Sequence, residues 1–249
     1  MTRRTITGRL AKSREASAIF VNVGYNIPDM KGVMRASMAQ ESRTGRHEFI
    51  PLRERITQRW VQRRLRRIGH ERRVTAIATT MFDLMRELHG MGGPQRRVLR
   101  LATMLHDVGR CVDNRRHPAL GAEMILEDEH LPVNDRDRRR LAYLTRYHRG
   151  AVPESGFETI LQAGDARKTM RRLLALLRAA DTLDNRNIAP PRIVMSLKGR
   201  KLRVTCYIEE DCAKAKRVFA RRKKFRLLEE LLDCKVEVQI KLAEAVESL

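Results

Sequence analysis

The sequence predicts a mainly α-helical bundle that is followed by a small C-terminal α+β subdomain. Between residues 51 and 188, apolar residues recur at three- and four-residue steps, which is the spacing of the buried face of a helix. Aromatic residues make up only 4% of the chain, so aliphatic side chains must fill the core, which suits packed helices. After the Pro190-Pro191 pair, apolar and polar residues alternate as they do in strands.

These patterns divide the chain into three segments. Residues 1–50 carry scattered glycines and prolines without sustained periodicity, and we interpret them as a flexible basic extension. Residues 51–188 form the helical domain, and residues 189–249 form a ββαβ subdomain. In this subdomain, two strands joined by a tight turn precede a basic helix over about 211–232 and a last strand over 235–240.

Six helices are predicted in the helical domain. Glycine, proline and polar residues separate them. The last of the six is the most apolar helix of the chain. The helices span about 52–68, 70–88, 94–108, 117–126, 135–148 and 165–180.

The chain is strongly basic, because Lys and Arg number 52 against 30 acidic residues, for a net charge of +22. Such a charge attracts polyanions, which include nucleic acids, polyphosphate, nucleotides and anionic membrane surfaces. The arginines are spread along the chain rather than gathered in a tail, so solvated helix faces explain them equally well. The basic helix over 52–68 shows no helix-turn-helix spacing, which favours a solvated or substrate-facing surface over a nucleic-acid reader.

Cysteine usage and hydropathy predict a cytoplasmic protein. The four cysteines form no CxxC pair and no zinc-finger spacing, which suits a reducing compartment. No apolar run has the length of a membrane span, so we expect no membrane partner. The sequence leaves the oligomeric state open and allows a homodimer.

A candidate metal site centres on His106 and Asp107, which directly follow an apolar helical run. An imidazole nitrogen next to a carboxylate oxygen offers two ligand types that suit a borderline divalent cation. Gly109 is expected to end the helix and to let the chain turn away. A single His-Asp pair is weak evidence, but further candidate ligands stand on or at the ends of other predicted helices. They are His70, His117, His148 and Asp181.

Each of these residues also has an ordinary structural interpretation. His70 lies on the apolar side of its helix, where a histidine is usually a satisfied core residue. His117 could cap a helix, and His148 could pair with a helix dipole. Asp181 follows an apolar helix, where a carboxylate is costly unless it is paired or bound to a metal. The set as a whole is therefore more specific than any member of it.

Together the six residues predict one metal ion and allow a second. Four of them complete one octahedral site with water molecules, whereas His117 and His148 support a second ion or bind phosphate. The four are His70, His106, Asp107 and Asp181. Arginines near the ligands are expected to offset phosphate charge in a substrate, although each is also ordinary in a basic chain. They are Arg110, Arg146, Arg149 and Arg186.

The order His, His-Asp, Asp on successive helices resembles the HD-domain metal-dependent phosphohydrolase superfamily. A nearer resemblance, over about residues 55–241, is to the C-terminal part of the exopolyphosphatase/guanosine pentaphosphatase (Ppx/GppA) family. The ββαβ segment is similar to the last small domain of that family. The matching segments are 105–109, His117 with 119–126, 131–132, 146–149 and 176–184.

The resemblance implies an HD-type helical bundle, but it does not carry over the main activity of the family. In that family, an N-terminal actin-like domain with glycine-rich phosphate loops hydrolyses polyphosphate or guanosine pentaphosphate, and this sequence has no room for such a domain. In some members the HD ligands are degenerate, and the domain only binds or bridges polyphosphate. Here every ligand of the general HD pattern is present, which favours a metal-bearing domain.

We therefore expect a divalent-metal phosphohydrolase that acts on a nucleotide or a polyphosphate, with His106 and Asp107 at the catalytic centre. Metal-bound hydroxide would be the nucleophile, since no serine or cysteine nucleophile stands out. The expected cofactor is one or two ions of manganese, iron or magnesium per chain. One alternative is a non-catalytic, regulatory basic module that binds polyphosphate or nucleotides. Another is a nucleic-acid-binding protein that uses the helix over 52–68, and it is not favoured.

Overall fold

The computed structural model shows a mainly helical chain with a small sheet, as the sequence predicts. All six helices expected in the central segment are present, and the C-terminal segment contains the expected hairpin, helical stretch and last strand. No helix in the described part of the chain is long and apolar enough to cross a membrane. The described residues are 17–21, 52–154, 156, 159–186, 188–209, 212–219 and 222–243.

Nine α-helices lie within these residues, and two predicted helices prove to be divided. The helix predicted over 70–88 is broken at Met85, and the basic helix predicted over 211–232 is wrong as a single element. The helices are α1 Leu52–Leu65, α2 Gly69–Leu84, α3 Arg86–His89, α4 Gly93–Leu105, α5 His117–Glu127, α6 Asp135–Tyr147, α7 Arg167–Thr182, α8 Cys212–Phe219 and α9 Arg226–Leu232.

Three helices of the bundle end at one place. α4 and α6 end just before His106 and His148, and Asp181 lies in the last turn of α7. Each of these helices is amphipathic and turns its apolar face into the bundle, which fixes the position of its C-terminal end. Along α4, for example, the buried residues are Val98, Leu99, Ala102, Thr103 and Leu105. The sequence pattern that forms the core therefore also positions three candidate ligands.

Gly109 does not end a helix in the way the sequence suggested. A 3₁₀ turn over Val108–Cys111 continues the chain, and the backbone of Gly109 is not left-handed. The glycine is needed for close packing instead. A Cβ atom at this position would lie 2.3 Å from the carbonyl oxygen of His117 and 2.5 Å from the backbone nitrogen of Gly121. The start of α5, and His117 with it, is thus held directly against the His-Asp segment.

The sheet has four strands, β1 Ser17–Val21, β2 Arg192–Lys198, β3 Lys201–Ile208 and β4 Lys235–Leu242, in that spatial order. β2 and β3 form the predicted antiparallel hairpin, in which Gly199 takes a left-handed backbone conformation in the turn. β4 lies parallel to β3, and the helical segment between them makes the crossover.

β1 was not expected, because residues 1–50 were interpreted as an extension without regular structure. Residues 17–21 pair antiparallel with β2, with residue 17 opposite Leu197 and residue 21 opposite Ile193. The interpretation of this segment as a free extension is therefore wrong for these five residues. The rest of residues 1–50 lies outside the described part of the chain.

The helical bundle and the sheet share one hydrophobic core. Leu176 of α7 belongs to the same buried cluster as Met195 and Val204 of the sheet and Leu228 of α9. The sheet therefore packs directly on the bundle that carries the candidate ligands. The division of the chain into domains at residues 50/51 and 188/189 stays a prediction.

Candidate metal centre

The six candidate ligands, which the sequence scatters over more than a hundred residues, converge at one buried point. On one side of it, the Nε2 atom of His70 lies 3.2 Å from Oδ1 of Asp181 and 3.3 Å from Nε2 of His106. Nε2 of His106 lies 3.4 Å from the same Asp181 oxygen. These three side chains thus direct two nitrogens and one oxygen at a shared space, which is a geometry that could hold a metal ion.

The other side of the cluster is built around Asp107. Its Oδ1 atom lies 3.1 Å from Nε2 of His117 and 3.5 Å from Nε2 of His148, and these two nitrogens are 3.2 Å apart. The same Oδ1 atom is 3.9 Å from Nε2 of His106, and Oδ2 is 3.7 Å from Nε2 of His70. Asp107 therefore joins the two sides, and its side chain is fully buried.

Three of the four histidines have their ring orientation fixed by the same local device. The Nδ1 atoms of His106, His117 and His148 each donate to the backbone carbonyl oxygen three residues earlier in the chain. The acceptors are Thr103 at 2.7 Å, Asn114 at 2.8 Å and Thr145 at 2.6 Å. Since a carbonyl oxygen only accepts, each Nδ1 must carry the hydrogen, which leaves Nε2 free to offer a lone pair to the centre of the cluster.

His70 is oriented by a carboxylate instead. Its Nδ1 atom lies 2.6 Å from Oδ2 of Asp184, and Asp184 in turn receives hydrogen bonds from Nε and Nη2 of Arg73 at 2.7 and 3.0 Å. Burial raises the pKa of Asp184, but the bonds from His70 and Arg73 outweigh burial and lower it below its ordinary value. The carboxylate therefore stays ionised and holds the histidine with its Nε2 atom facing inward.

This arrangement leaves polar atoms without partners unless a cation joins them. Oδ1 of Asp107 and Oδ1 of Asp181 are buried and form no hydrogen bond. Nε2 of His117 faces Nε2 of His148 at 3.2 Å, although both rings carry a hydrogen on Nδ1. Nitrogen lone pairs and carboxylate oxygens around one space fit a divalent transition metal, and a bare cluster of this kind is costly.

The electrostatics of the metal-free cluster agree with this fit. Burial lowers the pKa of His106, but the charges of Asp107, Asp181 and Glu71 outweigh burial and raise that pKa to about 9. For Asp107 and Asp181, burial raises the pKa, but the charge of His106 and the close approach of the neighbouring histidine Nε2 atoms outweigh burial and hold both pKa values below the ordinary range. A proton therefore supplies part of the positive charge that the two carboxylates require.

Three of the four predicted arginines meet the carboxylates of the cluster. Nε of Arg110 lies 2.6 Å from Oδ2 of Asp107, and Nη2 of Arg186 lies 2.8 Å from the same oxygen. Nη2 of Arg149 is 3.5 Å from Oδ2 of Asp181. The fourth, Arg146, is exposed, and its guanidinium carbon lies 5.5 Å from the centre of the Tyr147 ring. It does not line the cavity next to the cluster. Its proposed contact with substrate stays a prediction.

Comparison with known protein families decides the relationship of the chain. The family model for Ppx/GppA phosphatase, domain III, matches residues 53–219, which are 167 of the 249 residues. The chain belongs to the Ppx/GppA phosphatase family. The match includes all six residues of the cluster, and no curated protein matches the chain. Kinship with the wider HD superfamily stays a prediction that rests on the ligand pattern.

In this Ppx/GppA domain, sequence reasoning missed Glu71 and gave no role to Asp184. Glu71 is fully buried, its Oε1 atom receives a hydrogen bond from Arg186, and its Oε2 atom has no hydrogen-bond partner. The one signal of Glu71 in the sequence is its position next to His70 on the apolar side of a helix. That signal is weak, because an acidic residue is ordinary in the first turn of a helix. Asp184 could have been found, because it follows Asp181 by three residues on the same exit turn.

The cluster opens into a cavity of about 560 Å³. His70 and Asp181 lie at its base, and the cationic residues at its mouth are Arg110, Arg149, Arg186 and Lys224. Lys224 and Val218 reach it from the C-terminal segment, so the bundle and that segment both shape the opening. A polar cavity of this size, with cations around a candidate metal site, is suited to a phosphate-bearing ligand.

Proposed function

We propose that this domain is a divalent-metal-dependent phosphohydrolase that cleaves a phosphoester or phosphoanhydride bond in a nucleotide or a polyphosphate. One observation carries the proposal: four imidazole Nε2 atoms and two unpartnered carboxylate oxygens face one buried space beside a cationic cavity. Membership in a phosphatase family supports a hydrolytic role. Catalysis of this class needs charge neutralisation and an activated water more than a protein nucleophile.

The ligands fall into two groups that meet at Asp107. His70, His106 and Asp181 would hold one ion, and His117 with His148 would hold a second. Asp107 faces both groups through Oδ1 and Oδ2. The excess of nitrogen ligands favours manganese or iron over magnesium. When bound, such ions lower the pKa of a water molecule and neutralise phosphate charge.

The remaining residues bind and orient. Arg110 and Arg186 hold Oδ2 of Asp107, which fixes the carboxylate while leaving Oδ1 for the centre of the cluster. Arg149, which is less tightly paired, can turn from Asp181 toward a phosphate group in the cavity. Among the described residues that line the cavity, the one hydroxyl group is that of Thr182, and it donates a hydrogen bond to the backbone carbonyl oxygen of Arg178, so water is the expected nucleophile.

The experiment that tests this proposal compares Asp107→Asn with Asp83→Asn. Asp83 is an exposed aspartate, ion-paired to Arg96 and outside the cluster, so it is a matched control. We expect metal-reconstituted wild-type protein to hydrolyse bis(p-nitrophenyl) phosphate, ATP or polyphosphate. Asp107→Asn should lower kcat/KM more than about a hundredfold, since even outer-sphere changes cost 10–100-fold. If Asp107→Asn loses metal but the wild-type protein hydrolyses none of these substrates, the proposal of an enzyme is rejected.

A second function, a non-catalytic module that binds polyphosphate or nucleotides, is favoured by the cations at the cavity mouth. In that case wild-type protein would bind polyphosphate without turnover, and Asp107→Asn would leave the affinity nearly unchanged. Binding that instead falls steeply with salt for duplex DNA, without preference for polyphosphate, would favour the nucleic-acid reading of α1. The cytoplasmic location and a homodimer stay predictions.

A further inference from the structure

A second cavity, of about 450 Å³, lies where four helices of the bundle begin. Its lining includes Arg53 near the start of α1, Pro94 near the start of α4, Asn134 before α6 and Ala166 before α7. Since α4, α6 and α7 end at the metal cluster, the two sites lie at opposite ends of the same helices. Along α7, Met170 in this cavity precedes Asp181 in the cluster by eleven residues, which separates the two positions by about 16 Å.

The floor of this cavity is apolar. The side chains that form it come from two helices, α4 and α7, and from the loop before α6, and they are Val98, Leu101, Val133, Met170 and Leu173. A concave apolar floor of this size is typical of a site for a small molecule with a flat or bulky apolar part. A purely inorganic anion would leave this floor uncovered.

The rim of the cavity is cationic. Asp165, whose side chain is buried, accepts hydrogen bonds from Nε of both Arg136 and Arg140 at 2.9 Å and so fixes two guanidinium groups at the edge. Arg53 and Arg97 also line the cavity. Both are exposed, and among the described residues neither has an acidic partner.

The acidic residues of the rim do not cancel these two charges, because they are already paired. Glu54 lies 2.9 Å from Nη2 of Arg100, and Asp137 lies 3.2 Å from Nη1 of Arg140. The start of α7 adds to the positive potential, since Ala166 supplies no side-chain cap for the first backbone N–H groups of that helix.

We propose that this second cavity binds a nucleoside monophosphate, with the base on the apolar floor and the phosphate between Arg53 and Arg97. The two arginines supply the paired N–H donors that phosphate oxygens accept. The volume lies within the range of small-molecule sites. This site shares no residue with the six candidate metal ligands, so the proposal can be tested independently of the proposed hydrolase activity.

Met170 provides a local probe for the test. Full-length protein loaded with diamagnetic Mg²⁺ and labelled with ¹³C at the methionine methyl groups is titrated with AMP, with the Met170 signal assigned through Met170→Leu. We expect this signal to shift and saturate with a Kd on the order of 1 mM or tighter. Adenosine and inorganic phosphate should each bind at least about tenfold more weakly, because each covers only one half of the site.

The variants isolate the rim from the fold. Arg53→Gln combined with Arg97→Gln should weaken AMP binding about tenfold or more, and both positions are exposed, so folding is preserved. Arg63→Gln with Arg139→Gln removes the same charge from exposed positions outside the cavity and should leave binding unchanged. A Met170 signal that AMP does not move, or that responds equally in the rim variant or to phosphate alone, overturns the proposal. Since the other cavity lies about 16 Å from Met170 along α7, AMP bound there does not imitate the expected shift.

Discussion

Asp107 is the residue on which both sides of the candidate metal centre depend. Its Oδ1 atom faces His117 and His148, and its Oδ2 atom receives Arg110 and Arg186. A carboxylate with two guanidinium groups on one oxygen cannot rotate freely, so the other oxygen is held ready for a cation. The centre is therefore pre-organised at this residue before any ion arrives.

At the residue scale, His117→Ala should remove one ion and spare the other. His117 contacts only the Asp107–His148 side of the cluster, so the side with His70 keeps its ligands. Elemental analysis of purified protein should then show about one metal ion fewer per chain than in wild type. His130→Ala, at an exposed histidine outside the cluster, is the control. Equal metal content in all three proteins would contradict the two-sided site.

A second prediction at this scale concerns protons. Burial lowers the pKa of His106, but the neighbouring carboxylates raise it to about 9, so the metal-free cluster holds a proton at neutral pH. A divalent ion must displace that proton, so binding should release about one proton per chain. The apparent metal affinity should rise as the pH approaches about 9, because the proton then competes less.

Calorimetric titration with Mn²⁺ in buffers of different ionisation enthalpy measures this release directly. The observed heat should vary linearly with the ionisation enthalpy of the buffer, with a slope near one proton. Identical heats in every buffer would mean that no proton is displaced and that His106 is already neutral without metal.

The sequence predicts the ligands of this centre but not what holds them. His106, His117 and His148 were predicted because the sequence places a histidine at the end of each of three predicted helices. Their Nδ1 contacts to backbone carbonyls could not be found, since every residue has a carbonyl and only folding selects one. Glu71 was missed for a related reason, because its partner Arg186 lies far away in the chain and only folding brings the two side chains together.

At the scale of elements, the contact between the 3₁₀ turn and α5 depends on Gly109. A methyl group there would meet the carbonyl oxygen of His117 at 2.3 Å, so α5 or the turn must move. We expect Gly109→Ala to lower the free energy of unfolding by about 1–3 kcal/mol, as overpacking does. The displaced His117 should also weaken metal binding, and both effects are measured by denaturant unfolding and metal titration.

Gly93→Ala is the matched control for this change. Gly93 lies at the start of α4, and a Cβ atom there meets nothing within 4 Å. Its effect on unfolding should stay close to zero or be slightly stabilising, because alanine restricts the unfolded chain. If Gly109→Ala behaves like this control, α5 is free to shift and the close contact does not position His117.

Helices were predicted well where their own apolar pattern determines their bounds. They were predicted poorly where a contact with a distant part of the chain determines those bounds. The start of α6 follows from Asn134, whose side chain accepts a hydrogen bond from the backbone N–H of Asp137 at 2.8 Å. The break between α8 and α9 was missed, because apolar spacing continues across it. Gly109 was misread, since a glycine required for close packing looks the same in a sequence as one that ends a helix.

At the scale of the whole molecule, the sheet joins segments from both ends of the chain. β1 adds an edge to the hairpin of β2 and β3, although nearly all residues around it suggested an extension. A five-residue strand whose partner lies more than 170 residues away leaves little periodicity to detect. The mainly helical architecture was predictable because each helix carries its own apolar periodicity. The pairing of β1 with β2 depends instead on contacts that exist only once the core has assembled.

The candidate metal centre joins distant parts of that core, so a bound metal ion should stabilise the whole fold. Its ligands come from α2, α5, α7 and the segments that follow α4 and α6. With free Mn²⁺ at a hundred times its Kd, binding contributes about 2.7 kcal/mol, which should raise the Tm by about 5–10 °C for a chain of this size. Scanning calorimetry with and without a chelator measures the shift, and His130→Ala should show it in full. Asp107→Asn should show little of it, because the carboxylate shared by both sides is lost. A Tm that rises equally in Asp107→Asn would place the stabilising ion elsewhere on the molecule.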